Sequence, residues 1–268
     1  MTSKKQCALW KRLASIRGLR PLAAAHRGFS FEYPENTLVS FAAGIEAGAD
    51  LIELDFQPTR DGVLVCVHDG ELTRYVGAEL RARWEGRPID GADFSELSEL
   101  DVGTWKGRGF AGARIPTLAQ ALEAIGPGAI PFIERKGGSP KQTLDVLRRC
   151  NAVDRVIVHA FDWDYLSALH SLEPRVFLGA LGGGEFIPEH LRHLRSTGAS
   201  MVHWSHPGLT AEAVQKLKSE QYLVQVYTLN DESAFSQALS VGVDGISTDR
   251  PDLLLRFLNA DSARNARR

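Results

Sequence analysis

The amino-acid sequence predicts an α/β fold, a (β/α)8 barrel of the TIM type, from three observations. Short apolar runs alternate with helical patterns along the chain, as in parallel sheets whose strands are joined by helices. One connection, residues 56–62, is too short for a parallel crossover, which needs about a dozen residues. Ionisable side chains stand at the ends of several apolar runs, the edge at which such barrels keep their chemistry.

The composition is that of an ordinary globular protein with one large core. The 268 residues are 44% hydrophobic and 24% charged, and this length suits a single domain spanning residues 1–268. A net charge of −2 argues against nucleic-acid binding, which needs a basic surface. The three cysteines lack metal-ligand spacing and indicate reduced thiols. We therefore predict a cytoplasmic protein, and the composition indicates no particular oligomeric state.

Residues 1–20 are predicted to form a basic N-terminal helix. Leu9, Leu13 and Ile16 recur at helical spacing among lysines and arginines. Lys11 and Arg12 interrupt the apolar stretch that a secretory signal would need, and no stretch reaches transmembrane length. We expect this helix to cap the bottom of the domain, while weak peripheral contact with an anionic membrane surface stays open.

Nine apolar runs are strand candidates, one more than the eight parallel strands of a closed barrel. They occupy residues 22–26, 51–55, 63–68, 130–134, 155–159, 176–181, 201–204, 223–228 and 243–248. Helical patterns lie between most of them, for example at 37–47, 117–125, 141–149, 211–220 and 232–239. These helices would provide the crossovers between parallel strands.

A hairpin after the second run accounts for the extra strand. Asp61-Gly62 is a strong signal for a tight turn, so we expect residues 63–68 to run antiparallel to 51–55. This hairpin returns His68 to the barrel end at which the second run finishes. The next segment, 70–116, is predicted to be an insertion over the barrel mouth, because loops this long usually serve a site.

Three carboxylates at strand ends predict a metal site. Side chains alternate along a strand, so Glu53 and Asp55 face the same side, and Glu134 ends the next parallel strand. Neighbouring carboxylates raise one another's proton affinity, a cost that a bound cation removes. Oxygen ligands of this kind are typical for Mg²⁺ or Ca²⁺. A salt-bridge network with Arg27 and Lys136 is the alternative explanation.

Two histidines at the same barrel end suggest an acid–base pair. His26 and His68 each end a predicted strand near carboxylates, where an imidazole can exchange protons at neutral pH. Arg27 offers a bidentate fork for phosphate and Lys136 a point charge. Gly28 lets the backbone turn close to a ligand. The residue types together indicate phosphoester chemistry.

Further residues are expected near the barrel mouth, as a helix cap or as part of its lining. Residues 34–37 are expected to open a helix, with Asn36 or Thr37 as its cap. His159 is expected to line the mouth, and Tyr227 and Phe161 are candidate substrate-binding residues. The histidines within residues 203–206 lack a specific metal-binding spacing, so we predict no second metal site there.

These segments together resemble the glycerophosphodiester phosphodiesterase family. The matching motifs, in chain order, are Ala25-His26-Arg27-Gly28, Pro34-Glu35-Asn36-Thr37, Glu53-Leu54-Asp55, Thr59-Arg60-Asp61-Gly62, His68-Asp69, Ile115-Pro116-Thr117-Leu118, Glu134 with Lys136, and Gly242-Val243-Asp244-Gly245-Ile246-Ser247-Thr248-Asp249-Arg250-Pro251. Each motif alone is weak evidence for the family. In this order and spacing, over most of the chain, the set is very specific.

The resemblance implies metal-dependent hydrolysis of a glycerophosphodiester to glycerol 3-phosphate and an alcohol such as choline or ethanolamine. It places the site at the carboxyl ends of the barrel strands. Its implied site residues are His26 and His68 as the acid–base pair, Glu53, Asp55 and Glu134 as ligands of one Mg²⁺ or Ca²⁺ ion, and Arg27 and Lys136 as phosphate contacts. It leaves open which histidine is the acid and whether a cyclic phosphate forms.

Three departures from the family pattern bear on the alcohol group. Tyr75 and Val76 replace two threonines after Arg74, Tyr227 stands where tryptophan is common, and Arg135 replaces an apolar residue. Because Tyr75, Tyr227 and the insertion are expected near the leaving group, a sugar or polyol phosphodiester is an alternative substrate. A lysophospholipase-D-like activity is another, favoured by the basic N-terminal helix. A non-catalytic scaffold is disfavoured because all the metal and acid–base residues are present.

Overall fold

A closed ring of parallel strands forms the body of the protein. The computed structural model describes residues 8–265. The strands are β1 (Leu22–Ala25), β2 (Leu51–Pro58), β3 (Leu64–Cys66), β4 (Ile130–Arg135), β5 (Ile157–Ala160), β6 (Phe177–Gly182), β7 (Met201–Ser205), β8 (Leu223–Tyr227) and β9 (Gly245–Thr248). The α-helices are α1 (Ala8–Arg17), α2 (Leu38–Glu46), α3 (Ala78–Trp84), α4 (Phe94–Leu97), α5 (Leu118–Ile125), α6 (Pro140–Arg149), α7 (Trp163–Leu172), α8 (Pro188–Leu194), α9 (Ala211–Ser219), α10 (Glu232–Ser240) and α11 (Pro251–Asn265). Among these helices, none is both long and apolar enough to cross a membrane.

The strand order confirms the predicted (β/α)8 barrel. Neighbouring strands follow the order β1-β9-β8-β7-β6-β5-β4-β2, and β1 also pairs with β2 to close the ring. All eight of these pairings are parallel. The carboxyl ends of the strands therefore meet at one mouth, where side chains distant in sequence become neighbours.

The remaining strand, β3, forms the predicted hairpin with the end of β2. The two strands are antiparallel, with Phe56 opposite Cys66 and Pro58 opposite Leu64. Gly62 closes the turn with φ of 82°, a left-handed conformation that glycine adopts without a steric penalty. Because β3 ends at Cys66, His68 lies just beyond the strand, on the loop that leads into the insertion.

The barrel bottom is capped by α1, as predicted. Leu9 and Leu13 are buried and join the inward-facing apolar side chains at the amino ends of the strands. Trp10 stacks on Phe177 with ring centroids 5.9 Å apart. Burying a leucine side chain contributes about 1.5–3 kcal/mol, so this helix is held by the core. Residues 1–7 of the predicted helical segment lie outside the described residues.

The insertion after β3 folds around a small core of its own. Trp84, Ile89 and Leu97 are almost fully buried and pack together with Val65 of β3 and neighbouring apolar residues. The insertion also contacts the loop after β1, because Lys106 donates a hydrogen bond to the Ser30 carbonyl at 2.7 Å. It is therefore an ordered element beside the mouth.

Candidate active site

Three carboxylates project into the barrel beneath its mouth. Glu53 and Asp55 lie on β2, and Glu134 lies directly opposite Asp55 on β4. Their relative exposures are only 1%, 1% and 7%. The strand alternation that predicted a shared face for Glu53 and Asp55 therefore describes the structure correctly, and the three carboxyl groups come together where charge is costly.

Burial and mutual repulsion control the ionisation of these carboxyl groups. Burial, followed by the charges of Asp55 and Glu134, raises the pKa of Glu53 well above its usual range. Burial and Asp55 together raise the pKa of Glu134 to about 7, although Lys136 opposes the shift. Burial alone would also raise the pKa of Asp55, but Lys136 and Arg27 lower it overall. The cluster thus retains protons that a bound cation would displace.

Arg27 and Lys136 lie against the same carboxylates. Arg27 Nε is 3.4 Å from Asp55 Oδ2, and Lys136 Nζ lies 3.3 Å from Asp55 Oδ1 and also contacts Glu134 Oε1. Burial lowers the pKa of Lys136, but Asp55 and Glu134 outweigh this effect and raise it. The salt-bridge network considered from the sequence is therefore present, and it places both cationic side chains at the site.

The turn after β1 brings a backbone donor to Glu53. The Arg27 amide donates a hydrogen bond to Glu53 Oε2 at 2.8 Å. Gly28 has φ of 80°, and a Cβ atom there would lie 2.5 Å from Ser40 Oγ. Only glycine fits this turn, which explains the close approach of the Arg27 backbone to the carboxylate.

Asn36 has a site contact that its sequence position did not reveal. The helix cap is Thr37, whose side chain accepts a hydrogen bond from the Ser40 amide. Asn36 instead donates to Asp55 Oδ2 at 2.8 Å and accepts from the Asp55 amide at 3.0 Å. Its φ of 55° lies in the left-handed region that asparagine tolerates better than most residues. Asn36 therefore orients Asp55.

His26 is oriented by an aspartate from the opposite end of the sequence. His26 Nδ1 lies 2.7 Å from Asp249 Oδ1. Asp249 also accepts hydrogen bonds from Ser30 Oγ at 2.9 Å and from Asn230 Nδ2 at 2.7 Å. Burial would raise the pKa of Asp249, but the His26 contact outweighs it and holds that pKa at about 2. A charged Asp249 fixes the imidazole and leaves Nε2 for proton exchange.

His68 has an analogous partner, Asp69, which is its neighbour in sequence. His68 Nδ1 lies 2.8 Å from Asp69 Oδ1. Asp69 also accepts from Arg74 Nε, and Arg74 donates to Glu35 Oε1 at 2.7 Å. Glu35 in turn accepts from Arg27 at 2.8 Å. The insertion thereby connects His68 to the phosphate-contact candidate Arg27.

Two of the departures from the family pattern, Tyr75 and Arg135, have side chains that contact neighbouring protein groups. Tyr75 is 4% exposed, and its hydroxyl donates to Glu35 Oε1 at 3.1 Å. The Arg135 side chain donates to the Gly138 carbonyl and to Asp162 Oδ2. Because β4 alternates between faces, Arg135 points away from the carboxylate cluster. Tyr75 therefore supports Glu35, and a contact between Tyr75 and the leaving group stays a prediction.

The two candidate substrate-binding aromatic residues occupy different places. Tyr227 donates to the Gly182 carbonyl at 2.9 Å, and burial together with Glu134 raises its pKa. Tyr227 therefore borders the carboxylate cluster. Phe161 is 57% exposed and lines a separate cleft of about 420 Å³ with Trp163 and Trp204. The structure brings Phe161 to the rim beside the site.

His159 lies inside the barrel, below the mouth that it was expected to line. It is fully buried, and its Nε2 is 3.8 Å from Glu53 Oε1. Burial, with a contribution from His203, lowers the pKa of His159 well below its usual range, so the imidazole is neutral. Glu53, Glu134 and His159 each offer a ligand atom within 4.8 Å of the others. This buried Glu/Glu/His group can hold a divalent cation.

The fold places buried carboxylates, two cationic side chains and two histidine–aspartate pairs at the mouth of a (β/α)8 barrel. The sequence pattern of the glycerophosphoryl diester phosphodiesterase family matches residues 26–253. The chain belongs to this family. The family inferred from the motifs is thereby confirmed.

Known relatives match the chain over nearly its whole length. It is 32% identical over 250 residues to a glycerophosphodiester phosphodiesterase of Caldanaerobacter subterraneus subsp. tengcongensis, covering 90% of this chain and 98% of the relative. It is 30% identical over 243 residues to the Bacillus altitudinis protein of the same name, covering 87% and 96%. A structure of an Oleispira antarctica phosphodiesterase with the product sn-glycerol-3-phosphate matches with a TM-score of 0.83 and 25% identity, covering 92% and 99%. These matches confirm the prediction of a phosphodiesterase.

Proposed function

We propose that this chain hydrolyses glycerophosphodiesters to glycerol 3-phosphate and an alcohol, with residues 1–268 acting as one domain. The observation that carries the proposal is the convergence, at one barrel mouth, of three carboxylates, two cationic side chains and two imidazoles that each contact an aspartate. The family match and the relatives named above support the substrate class. We place the reaction in the cytoplasm, because Cys66 and Cys150 are free thiols.

Glu53, Asp55 and Glu134 would hold a divalent cation. The residues fit such an ion, because Glu53 Oε1 is buried without a hydrogen-bond partner among the described residues and the pKa values of Glu53 and Glu134 are raised. When bound, the cation would neutralise phosphate charge and stabilise negative charge that develops during cleavage. Carboxylate oxygens alone favour Mg²⁺ or Ca²⁺.

Arg27 and Lys136 would bind the phosphate group. Both side chains contact Asp55, and a cation that neutralises the carboxylates would leave their positive charge available to phosphate oxygens. Arg27 presents a planar fork that Glu35 orients, whereas Lys136 supplies a point charge. Their positions beside the carboxylates favour a substrate whose anionic group lies across the mouth.

His26 and His68 would transfer the protons of the reaction. One imidazole takes a proton from the nucleophile, which is either water or the glycerol 2-hydroxyl. The other donates a proton to the departing alcohol oxygen, because an alkoxide is too basic to leave unprotonated at neutral pH. Contacts of Nδ1 with Asp249 and Asp69 leave Nε2 of each ring for these transfers.

Tyr227 and Phe161 would contact the alcohol side of the substrate. Tyr227 provides a wall beside Glu134, and Phe161 stands at the entrance of the adjacent cleft. This cleft gives room for an alcohol group larger than ethanolamine, so a sugar or polyol phosphodiester is the alternative substrate. A lysophospholipid is the second alternative substrate.

A ³¹P NMR time course tests the proposal. Purified protein is incubated with glycerophosphocholine, a glycerophosphoryl sugar or lysophosphatidylcholine micelles, each with Mg²⁺ or Ca²⁺ and again with chelator. We expect cation-dependent release of glycerol 3-phosphate from at least one glycerophosphodiester, and a transient cyclic phosphate signal if the 2-hydroxyl is the nucleophile. Absence of turnover for all three substrate classes would contradict the proposal.

A matched pair of variants links turnover to the carboxylate cluster. Asp55→Asn removes a charge from the centre of the site, whereas Asp154→Asn removes one from an exposed ion pair with Arg175. We expect Asp55→Asn to abolish measurable turnover and Asp154→Asn to retain it. Equal activities of the two variants would show that the reaction occurs elsewhere.

A further inference from the structure

A buried imidazole, His159, lies beside two of the proposed metal-binding carboxylates. Strand register places it directly opposite Glu134 on β4, and its Nε2 is 3.8 Å from Glu53 Oε1. One ligand atom from each of these three residues lies within 4.8 Å of the other two. Asp55, the third carboxylate of the proposed site, contacts Asn36, Arg27 and Lys136.

Two of the facing atoms in this group are unpaired. His159 Nε2 and Glu53 Oε1 are both buried, and neither has a hydrogen-bond partner within residues 8–265. Their separation of 3.8 Å is too long for a hydrogen bond. A buried polar atom without a partner costs about 1–3 kcal/mol, and a cation bound between these two atoms would remove that cost.

The other ring nitrogen of His159 has the partner that a metal-bound histidine needs. Its Nδ1 lies 3.3 Å from His203 Nδ1, and His203 Nε2 lies 3.0 Å from Ser247 Oγ. If His159 Nδ1 donates to His203 and His203 Nε2 donates to Ser247, the lone pair of His159 Nε2 faces Glu53 and Glu134. Metal-bound histidines are oriented by hydrogen bonds of this kind from the second nitrogen.

The packing around His159 keeps the imidazole in place. Its ring stacks on Phe132 with centroids 3.9 Å apart and an angle of 22° between the planes. On the other side, β6 places Gly179 opposite His159, and a Cβ atom at Gly179 would approach His159 Cβ to 3.1 Å. The sequence thus provides space for an imidazole at this position and a flat surface that fixes its plane.

We propose that His159 Nε2 is a nitrogen ligand of the cation held by Glu53 and Glu134, so that the site prefers a transition metal such as Co²⁺ or Zn²⁺ over Mg²⁺ or Ca²⁺. Imidazole nitrogen binds these metals better than it binds the hard alkaline-earth ions. This inference rests on the proposed metal-dependent function, which it makes more specific by naming the donor and the class of metal.

Spectroscopy of bound Mn²⁺ tests the ligand directly, because Mn²⁺ is paramagnetic and accepts both oxygen and nitrogen donors. The whole protein is loaded with Mn²⁺, and electron spin-echo envelope modulation is recorded with natural-abundance and with ¹⁵N-histidine-labelled protein. We expect a ¹⁴N coupling that changes to the ¹⁵N pattern on labelling. We expect His159→Phe, which retains an aromatic ring, to lose it. The matched control His193→Phe removes a half-exposed histidine of α8 and keeps the coupling.

Calorimetric titration tests the metal preference. We expect His159→Phe to weaken Co²⁺ binding by at least about 10–100-fold, the loss caused by disrupting the supporting residues of a metal site, and to change Ca²⁺ binding by less than about threefold. Equal losses for the two ions would contradict the preference. Should His159→Phe not fold, the labelling experiment on the unmodified protein still decides the nitrogen ligand.

The outcomes separate this inference from the proposed function. Mn²⁺ that binds without any histidine nitrogen coupling overturns the role of His159 and leaves the carboxylate site intact. Failure of Mn²⁺, Co²⁺, Mg²⁺ and Ca²⁺ to bind at all overturns the metal site itself. Histidine coupling that persists in His159→Phe assigns the nitrogen to another residue and also overturns the inference.

Discussion

The two histidine–aspartate pairs have the same contact but are built by different parts of the molecule. His26 directly follows β1 and contacts Asp249, which directly follows β9, so the barrel closure joins residues that are 223 positions apart. His68 receives the adjacent Asp69, which is anchored by Arg74 of the insertion. The first pair depends on the barrel and the second on an element added to it.

The two aspartates are therefore held in different ways. Ser30 and Asn230 hold Asp249 through neutral hydrogen bonds, whereas Arg74 holds Asp69 through a charge that also contacts Glu35. Changes in the insertion therefore reach His68 and, through Glu35, also Arg27. The His26–Asp249 pair should tolerate changes in the insertion.

The largest predicted effect is loss of either imidazole. We expect His26→Ala and His68→Ala each to lower kcat by about 10²–10⁴-fold, because general acid–base catalysis contributes this much. The measurement is the rate of glycerol 3-phosphate formation, with circular dichroism to confirm folding. If only one of the two variants lost activity, the two histidine–aspartate pairs would not both be needed for catalysis.

Removal of the aspartate charges should have the next largest effect. We expect Asp249→Asn and Asp69→Asn each to lower kcat by about 10²-fold, the cost of a misplaced catalytic group, and to shift one limb of the pH profile of kcat. The control Asp154→Asn alters an exposed carboxylate and should leave the profile unchanged. A lower kcat with an unaltered pH profile would indicate a purely structural role.

The support from the insertion should matter less than the pairs themselves. Arg74 contacts Asp69 and Glu35 and lies over the Tyr75 ring at 4.1 Å. We expect Arg74→Gln to lower kcat/KM by about 10-fold, because a charge-assisted hydrogen bond contributes about 1.5–3 kcal/mol. The matched variant Arg60→Gln, at an exposed pair with Asp93, should behave as wild type. Equal effects of Arg74→Gln and Arg60→Gln would show that the insertion does not support activity through Arg74.

The smallest predicted effect is a pH-dependent gain in stability when metal is added. The pKa of Glu134 is raised from 4.5 to about 7, so its protonation stabilises the metal-free fold fully below about pH 4.5 and this contribution is lost as pH rises through about 7. Because a cation needs the deprotonated carboxylate, the rise in Tm on adding Mg²⁺ or Co²⁺ should grow from pH 5.5 to pH 8. A rise that is independent of pH would contradict the account. Asp249 and Asp69, with pKa values of about 2, stay charged throughout this range.

The barrel and the carboxylate cluster could be predicted because their signals are local. The short connection at Asp61-Gly62 predicted the hairpin, which the antiparallel register of β2 and β3 confirms. The alternation of Glu53 and Asp55 on one strand predicted their shared face. Both depend on residues close together in sequence, where strand and turn geometry leave few alternatives.

The remaining contacts form only when the barrel closes, and no local sequence pattern predicts them. Asn36 binds Asp55, and His159, His203 and Ser247 form one hydrogen-bonded row, only after distant strands adopt their register. The small core of the insertion, centred on Trp84, has no clear periodic pattern. A signal did exist for Asp249, since it lies within the last family motif, but its partner His26 could not be read from spacing.

The most direct test of the account compares two leaving groups in the two histidine variants. A glycerophosphodiester with a p-nitrophenol leaving group needs no proton donor, whereas glycerophosphocholine does. We expect one variant, either His26→Ala or His68→Ala, to recover most of the wild-type rate on the nitrophenyl substrate, and we expect the other not to recover it. Recovery of both variants, or of neither, would contradict separate acid and base roles for the two histidine–aspartate pairs.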